Sequence, residues 1–284
     1  MTLRMKKNDV GKMKKMIVLG IDGATFDLLN PLMERGIMPN LLKFTQNGVS
    51  ASMNSTFPPI TGPAWLSMAT GKNPGKTGVT DFINVGKKIT ETSIVNSRDI
   101  RINDPFWDIM NKHGLKTYLI GYPMLYPYYD IDGVIVGGWG IPEGCEIAHP
   151  KEIIDRINRV SSEYVNYVPW RTKQEYKSNK ELLIDDLASM LKKQIEVVKD
   201  LLKDEWDFFI YVCSVSDFLQ HAFWDDLQNN KSPYHQSTLD IWRDIDHLIG
   251  VLMEQQTNIF IVSDHGFGPL RNKFLPYSGF HFED

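Results

Sequence analysis

Six residues in this chain have the types and the spacing for metal-assisted chemistry: Asp22, Thr61, Asp217, His221, Asp264 and His265. Three short apolar runs each lead into an aspartate. MIVLGI precedes Asp22, WDFFIYVCSVS precedes Asp217, and NIFIVS precedes Asp264. Runs of this kind read as buried strands of a parallel sheet. Ligands of open α/β sheets bind outside the carboxyl ends of such strands. Taken singly, Asp22 would serve equally well as the cap of the helix that follows it. Three carboxylates converging on one sheet edge are different. Unpaired, they repel one another, and buried charge is costly. A divalent cation is the simplest group that neutralises them.

The histidines point the same way. In DFLQH, Asp217 and His221 are four apart, so a helix starting there presents both on one face. Asp264 and His265 are adjacent at a strand end, where successive side chains diverge and can serve two neighbouring ions. Mixed Asp and His ligation suits zinc, manganese or iron better than calcium or magnesium. Two such ions form the clamp used for displacement at phosphorus. Thr61 is the candidate nucleophile: a hydroxyl at a helix N-terminus beside a cation can lose its proton near neutral pH. A helix N-cap is the other reading of Thr61.

The elements that must position these residues follow from pattern. Residues 25–35 and 39–47 read as helices, closed by Gly36 and Gly48. Residues 49–54 alternate in polarity and predict a strand. In the Pro-, Gly- and Thr-rich stretch after it, residues 63–69 predict one or two helical turns, with Pro63 at the first position and Thr61 just before. Residues 87–95 predict a peripheral hairpin or loop, residues 104–113 a helix, and residues 116–120 a strand. Residues 121–150, rich in Gly, Pro and Tyr, predict a long loop over a site. Residues 151–179 are polar and less regular, which suggests a cap insertion around 150–180. Residues 181–203 carry apolar side chains at helical spacing. Residues 206–215 predict a fully buried strand, residues 239–255 a helix, and residues 258–262 another buried strand. The alternation predicts an α/β fold with a mostly parallel central sheet and helices on both faces.

Composition narrows the class. With 284 residues and a formal charge of −4, nothing favours nucleic acid as a partner. Cys145 and Cys213 lie far apart, so a reducing, cytoplasmic setting is expected. No segment is long and apolar enough to span a bilayer. Residues 1–15 form a basic tail ahead of a single domain over 16–284. Trp65, Trp224 and the Tyr-rich stretch 122–129 either line a pocket or pack in the core. Lys72 and Lys76 either meet a phosphate or face solvent.

The stretches VLGIDGATFD, PPITGPAWLSMATGKNPGKTGVTDF, SVSDFLQHAFW and IVSDHGFG together resemble the type I phosphodiesterase and nucleotide pyrophosphatase branch of the alkaline phosphatase superfamily. The resemblance runs from residue 17 to about residue 268. It implies an alkaline-phosphatase-like fold and a metal-dependent hydrolase of phosphodiester or pyrophosphate bonds. It also implies a small-molecule phosphate ester substrate, a phosphothreonine intermediate on Thr61, and two divalent ions, zinc or manganese. One ion would be shared by Asp22, Thr61, Asp264 and His265. The other would take Asp217, His221 and a further His from the C-terminal part of the fold.

Two departures bear on this. The sequence stops at Asp284, shortly after DHGFG, where family members continue. His281 is too close in sequence to replace the missing ligand. The domain is therefore expected to be incomplete at its C-terminus, with a separate C-terminal lobe as a candidate partner. The alternative it raises is a non-catalytic or split-chain remnant with an incomplete second metal site. The other departure is Phe82, which stands by spacing where nucleotide pyrophosphatases carry an Asn that holds a phosphoryl oxygen. Hydrolysis of a phosphomonoester, sulfate ester or phosphonate is the remaining alternative. Classical sulfatases use a C/S-x-P-x-R setting, and TGPAW has no such Arg.

Overall fold

The computed structural model describes residues 15–85, 92–169 and 172–269. The basic tail up to Lys14, residues 87–91 of the 87–95 stretch and His281 lie outside the described residues.

The first apolar run forms β1 (Met16–Ile21). A turn at Gly23 leads into α1 (Phe26–Glu34), and α2 (Pro39–Gln46) follows with Pro39 in its first turn. Next come α3 (Thr61–Thr70) and α4 (Pro74–Thr77), then β2 (Ile83–Val85) paired antiparallel with β3 (Thr92–Ile94). The helices α5 (Ser97–Arg101) and α6 (Phe106–Lys112) precede three strands. These are β4 (Thr117–Tyr122), β5 (Gly133–Gly137) and β6 (Ala148–His149). Three helices follow: α7 (Glu152–Val160), α8 (Gln174–Ser178) and α9 (Lys180–Leu201). The chain ends its described part with β7 (Phe208–Cys213), α10 (Val215–Gln228), α11 (His235–Met253) and β8 (Asn258–Val262).

Six strands form one sheet in the order β6-β5-β4-β7-β1-β8. All pairs are parallel except β5–β6. Alternate side chains of the central strands enter different cores, as strand geometry requires. Ile17, Leu19 and Ile21 of β1, with Phe209 and Tyr211 of β7, pack among α1, α2, α9, α10 and α11. Val18 of β1, with Ile210 and Val212 of β7, packs with Trp65 and Leu66 of α3 and Trp107 of α6. Helices therefore cover both faces, and β1 and β7 read as continuous apolar runs because both faces are buried.

Several expectations need correction. Residues 49–54 form no strand: Val49 is 98% exposed, and an alternating pattern without a partner strand has no ladder to join. The stretch 121–150 is not one loop, since β5 and β6 lie within it. Their few residues sit among Gly and Pro that mask the pattern. Of the three strands that lead toward an aspartate, β8 is the least buried. It pairs only with β1 among the described residues, and Phe260 is half exposed. Thr61 is the first residue of α3 rather than the residue before it, and Pro63 sits two places further in.

Candidate metal-centred active site

The three aspartates meet because β7, β1 and β8 are adjacent and parallel, with Asp217 carried on the helix that follows β7. Asp22 follows β1 and is buried, its N–H bonded to the Cys213 carbonyl at 3.2 Å. Asp22 does not cap α1. Thr25 does, its Oγ1 accepting from Asp27 N at 3.4 Å. Asp264 follows β8, and its Oδ1 accepts from Gly23 N at 3.2 Å. This bond needs the tight turn at Gly23, whose φ of 69° is easily reached only by glycine. Asp217 lies in the first turn of α10, where the helix dipole favours an anion. The Ser216 hydroxyl donates to the Asp22 carbonyl at 2.7 Å, and Gln220 Nε2 donates to the Gly23 carbonyl at 3.1 Å. Helix α10 is thereby tied to the turn after β1.

His265 stands at the centre. Its Nε2 lies 3.1 Å from Thr61 Oγ1, 3.5 Å from Asp22 Oδ1, 3.5 Å from Asp264 Oδ2 and 4.0 Å from Asp217 Oδ1. Its Nδ1 lies 2.9 Å from the Gly266 carbonyl. A carbonyl only accepts, so Nδ1 carries the proton and donates. In the neutral ring Nε2 then presents a lone pair to the centre. His221 sits on the same helical face as Asp217, with Nε2 3.5 Å from Asp217 Oδ1. The structure thus brings together all six residues that the sequence singled out. Thr61 is not a cap: Ile60 holds the N-cap position of α3 and supplies no side-chain hydrogen bond.

The electrostatics show what this cluster lacks. Burial raises the Asp22 pKa well above the usual carboxylate value, and the charges of Asp264 and Asp217 raise it further; only the hydrogen bond from Trp65 opposes them. Burial raises Asp264 too, against the pull of His265 and the Gly23 N–H. Asp22 Oδ1 and Asp264 Oδ2 are buried and accept no hydrogen bond from a described residue. Buried carboxylate oxygens in that position are expensive unless something cationic meets them. Asp22, Asp217 and His265 each offer a ligand atom within 4.8 Å of the others, a group able to hold a metal ion. The donor set therefore fits a divalent cation.

A cavity of 660 Å³ opens over the cluster. Thr61, Asp22, His221 and His265 lie in its floor, and Phe82, Trp139, Tyr167 and Phe267 contribute to its walls. The Phe82 and Trp139 rings are 4.4 Å apart between centroids. Sequence reasoning missed Trp139, Tyr167 and Phe267, since isolated aromatics carry no spacing signal. Trp224 packs on Phe267 at 5.5 Å, whereas Trp65 is fully buried. Lys72 is turned away: its Nζ donates to the Asn103 carbonyl at 2.6 Å and pairs with Asp104.

Comparison with known proteins matches the sequence to a family. The model of type I phosphodiesterase / nucleotide pyrophosphatase matches residues 16–281. No curated protein sequence gives a match. Among solved structures, phosphonoacetate hydrolase from Sinorhizobium meliloti 1021 aligns with a TM-score of 0.58. Its complex with phosphonoformate is 16% identical, and the alignment covers 89% of this chain and 57% of that one. The same enzyme with phosphonoacetate gives 15% identity and equal coverage. At this identity the likeness establishes an alkaline-phosphatase-like fold. The chain spans little more than half the length of that enzyme.

Proposed function

Because the chain belongs to the type I phosphodiesterase / nucleotide pyrophosphatase family, we propose that it hydrolyses phosphodiester or pyrophosphate bonds, with Thr61 as nucleophile. The observation that carries this reading is the convergence of Thr61 Oγ1, His265 Nε2 and three buried carboxylates at the carboxyl end of one sheet. Asp22, Thr61, Asp264 and His265 would hold one divalent cation, zinc or manganese. Asp217 and His221 would supply ligands to a second. When bound, such ions stabilise charge on phosphoryl oxygens and lower the pKa of a coordinated hydroxyl or water.

The chain's own groups account for the rest. The Thr61 hydroxyl gives its proton to solvent and Oγ1 attacks phosphorus. The bond from phosphorus to the leaving oxygen breaks, and that oxygen takes up a proton. Water then cleaves the Thr61 phosphoester, restoring the hydroxyl and releasing phosphate or its monoester. His265, held by the Gly266 carbonyl, would present its Nε2 lone pair to the cation it shares with Thr61. Phe82 stands where an amide side chain would hold a phosphoryl oxygen. The leading N–H groups of α3, which no side chain caps, are suited to hold that oxygen instead.

No helix among the described residues is long and apolar enough to cross a membrane. Free thiols at Cys145 and Cys213 support a reducing, cytoplasmic setting. Among the described residues β8 pairs with β1 alone, which supports a further polypeptide segment as partner, one that would pair there and complete the second ion's ligands.

The test is hydrolysis of a bis(p-nitrophenyl) phosphate probe with added Zn²⁺ or Mn²⁺, beside Thr61→Ala. The variant is expected to lose activity by several orders of magnitude. Full activity in Thr61→Ala would remove Thr61 from this role. Two ions per chain by metal analysis would support the enzyme; one or none would favour the non-catalytic remnant.

A further inference from the structure

Trp65 sits one helical turn after Thr61, on the same face of α3. It is fully buried, and its indole Nε1–H donates to Asp22 Oδ2 at 3.1 Å. Its backbone carbonyl accepts from the Tyr122 hydroxyl at 2.5 Å, and its ring meets Tyr122 edge-on at 5.7 Å. The ring also fills the space over Gly20 of β1, where an added Cβ would lie 2.4 Å from the indole. One residue of the helix carrying Thr61 is thus bonded to the ends of both β1 and β4.

The consequence for Asp22 is specific. A carboxylate can rotate and exchange its oxygens unless something distinguishes them. Indole N–H is a donor only and does not titrate, and here it engages Oδ2. Oδ1, which accepts no hydrogen bond from a described residue, is left on the side of His265. We propose that Trp65 is a positioning residue: its N–H fixes the rotamer of Asp22 so that Oδ1 faces the cation, and it locks that ligand to the helix bearing Thr61. This rests on the metal-centred reading above. Partners that orient a metal ligand typically change affinity by about 10- to 100-fold when removed.

Trp65→Phe tests it, keeping an aromatic ring and removing the N–H. Trp107→Phe is the matched control. Trp107 is equally buried and donates its Nε1–H to Tyr129 Oη at 2.7 Å, away from the carboxylates. Mn²⁺ alone is titrated into each protein by calorimetry. Mn²⁺ affinity should fall about 10- to 100-fold in Trp65→Phe and stay within about threefold in Trp107→Phe. Should Trp65→Phe fail to fold, 3-benzothienylalanine at position 65 replaces the N–H with sulfur at nearly constant shape. In the unaltered protein, the indole N–H resonance of Trp65 should shift on adding a diamagnetic ion, Zn²⁺. Unchanged affinity in a folded Trp65 variant would overturn the proposal while leaving the metal reading intact. Failure of the unaltered protein to bind any ion would overturn both.

Discussion

Thr61 Oγ1 lies 3.1 Å from His265 Nε2, although 204 residues separate them in the chain. The contact joins the start of α3 to the segment after β8, and those segments meet over the carboxyl end of β1. In the metal-free protein it gives the hydroxyl an acceptor whose tautomer is set from behind by Gly266. It also places the hydroxyl beside two buried carboxylate oxygens, Asp22 Oδ1 and Asp264 Oδ2, that accept no hydrogen bond from a described residue.

Those carboxylates predict how the metal-free protein responds to pH. Asp22 has a folded pKa raised by burial and by its acidic neighbours. Below the unfolded value of about 4 its full contribution to stability is present; it is lost as pH rises through the folded value. With chelator present, the melting temperature of the native protein should therefore decline over that range more steeply than that of Asp22→Asn. Added Zn²⁺ or Mn²⁺ should cancel the decline near neutral pH. Parallel pH profiles for the two proteins would show that Asp22 is not held under this strain.

Gly20→Ala probes the packing that holds the site together. The new Cβ would collide with the Trp65 indole. A clash inside a packed core costs about 1–3 kcal/mol, measurable by urea unfolding. Since the indole must move, Mn²⁺ binding should weaken as well. A variant as stable as the parent would mean that the ring has room to shift.

Asp246 predicts a stability effect remote from the site. Met38 gives α2 no side-chain cap. Asp246 of α11 fills that role across the interface, accepting from Leu41 N at 2.8 Å, Asn40 N at 3.1 Å and Asn40 Nδ2 at 2.9 Å. Asp246→Ala leaves the buried Leu41 N–H and the part-buried Asn40 N–H without this partner, which should cost about 1–3 kcal/mol in urea unfolding. Metal affinity should not change. A loss well below 1 kcal/mol would show that other groups satisfy them.

Arg156 gives the opposite pH sign. It donates to Asp200 at 2.6 Å and to Asp204 at 2.7 Å, joining α7 to the end of α9. Burial pushes Asp200 up, but hydrogen bonds from Arg156 and Lys203 outweigh it and hold the pKa below its ordinary value. The stability this supplies is present above the unfolded value of about 4 and is lost as pH falls through the folded one. Arg156→Met should destabilise the protein at neutral pH by about 1 kcal/mol, with the gap closing in acid. A gap that persists in acid would assign the effect to packing.

Much of this arrangement was legible in the sequence. Apolar runs ending in Asp22, Asp217 and Asp264 are conspicuous because buried parallel strands tolerate no polar interruption. The spacing of Asp217 and His221 is legible because a helix makes it one face. Strands β5 and β6 were not, since five- and two-residue elements inside a Gly- and Pro-rich stretch have no period to detect. The supposed strand at 49–54 shows the converse: alternation is necessary for a half-buried strand and does not supply its partner. Trp65 was open to two readings, pocket or core. It packs in the core and also holds Asp22, a pairing 43 residues apart that no local pattern encodes.

The central claim is that Thr61 becomes covalently phosphorylated during turnover. Acid quenching of the metal-loaded protein with the bis(p-nitrophenyl) phosphate probe, followed by peptide mass spectrometry, tests it most directly. The account predicts a p-nitrophenyl phosphoryl adduct on the peptide containing Thr61, absent from Thr61→Ala. Turnover with Thr61 unmodified throughout, and equal turnover in Thr61→Ala, would contradict it.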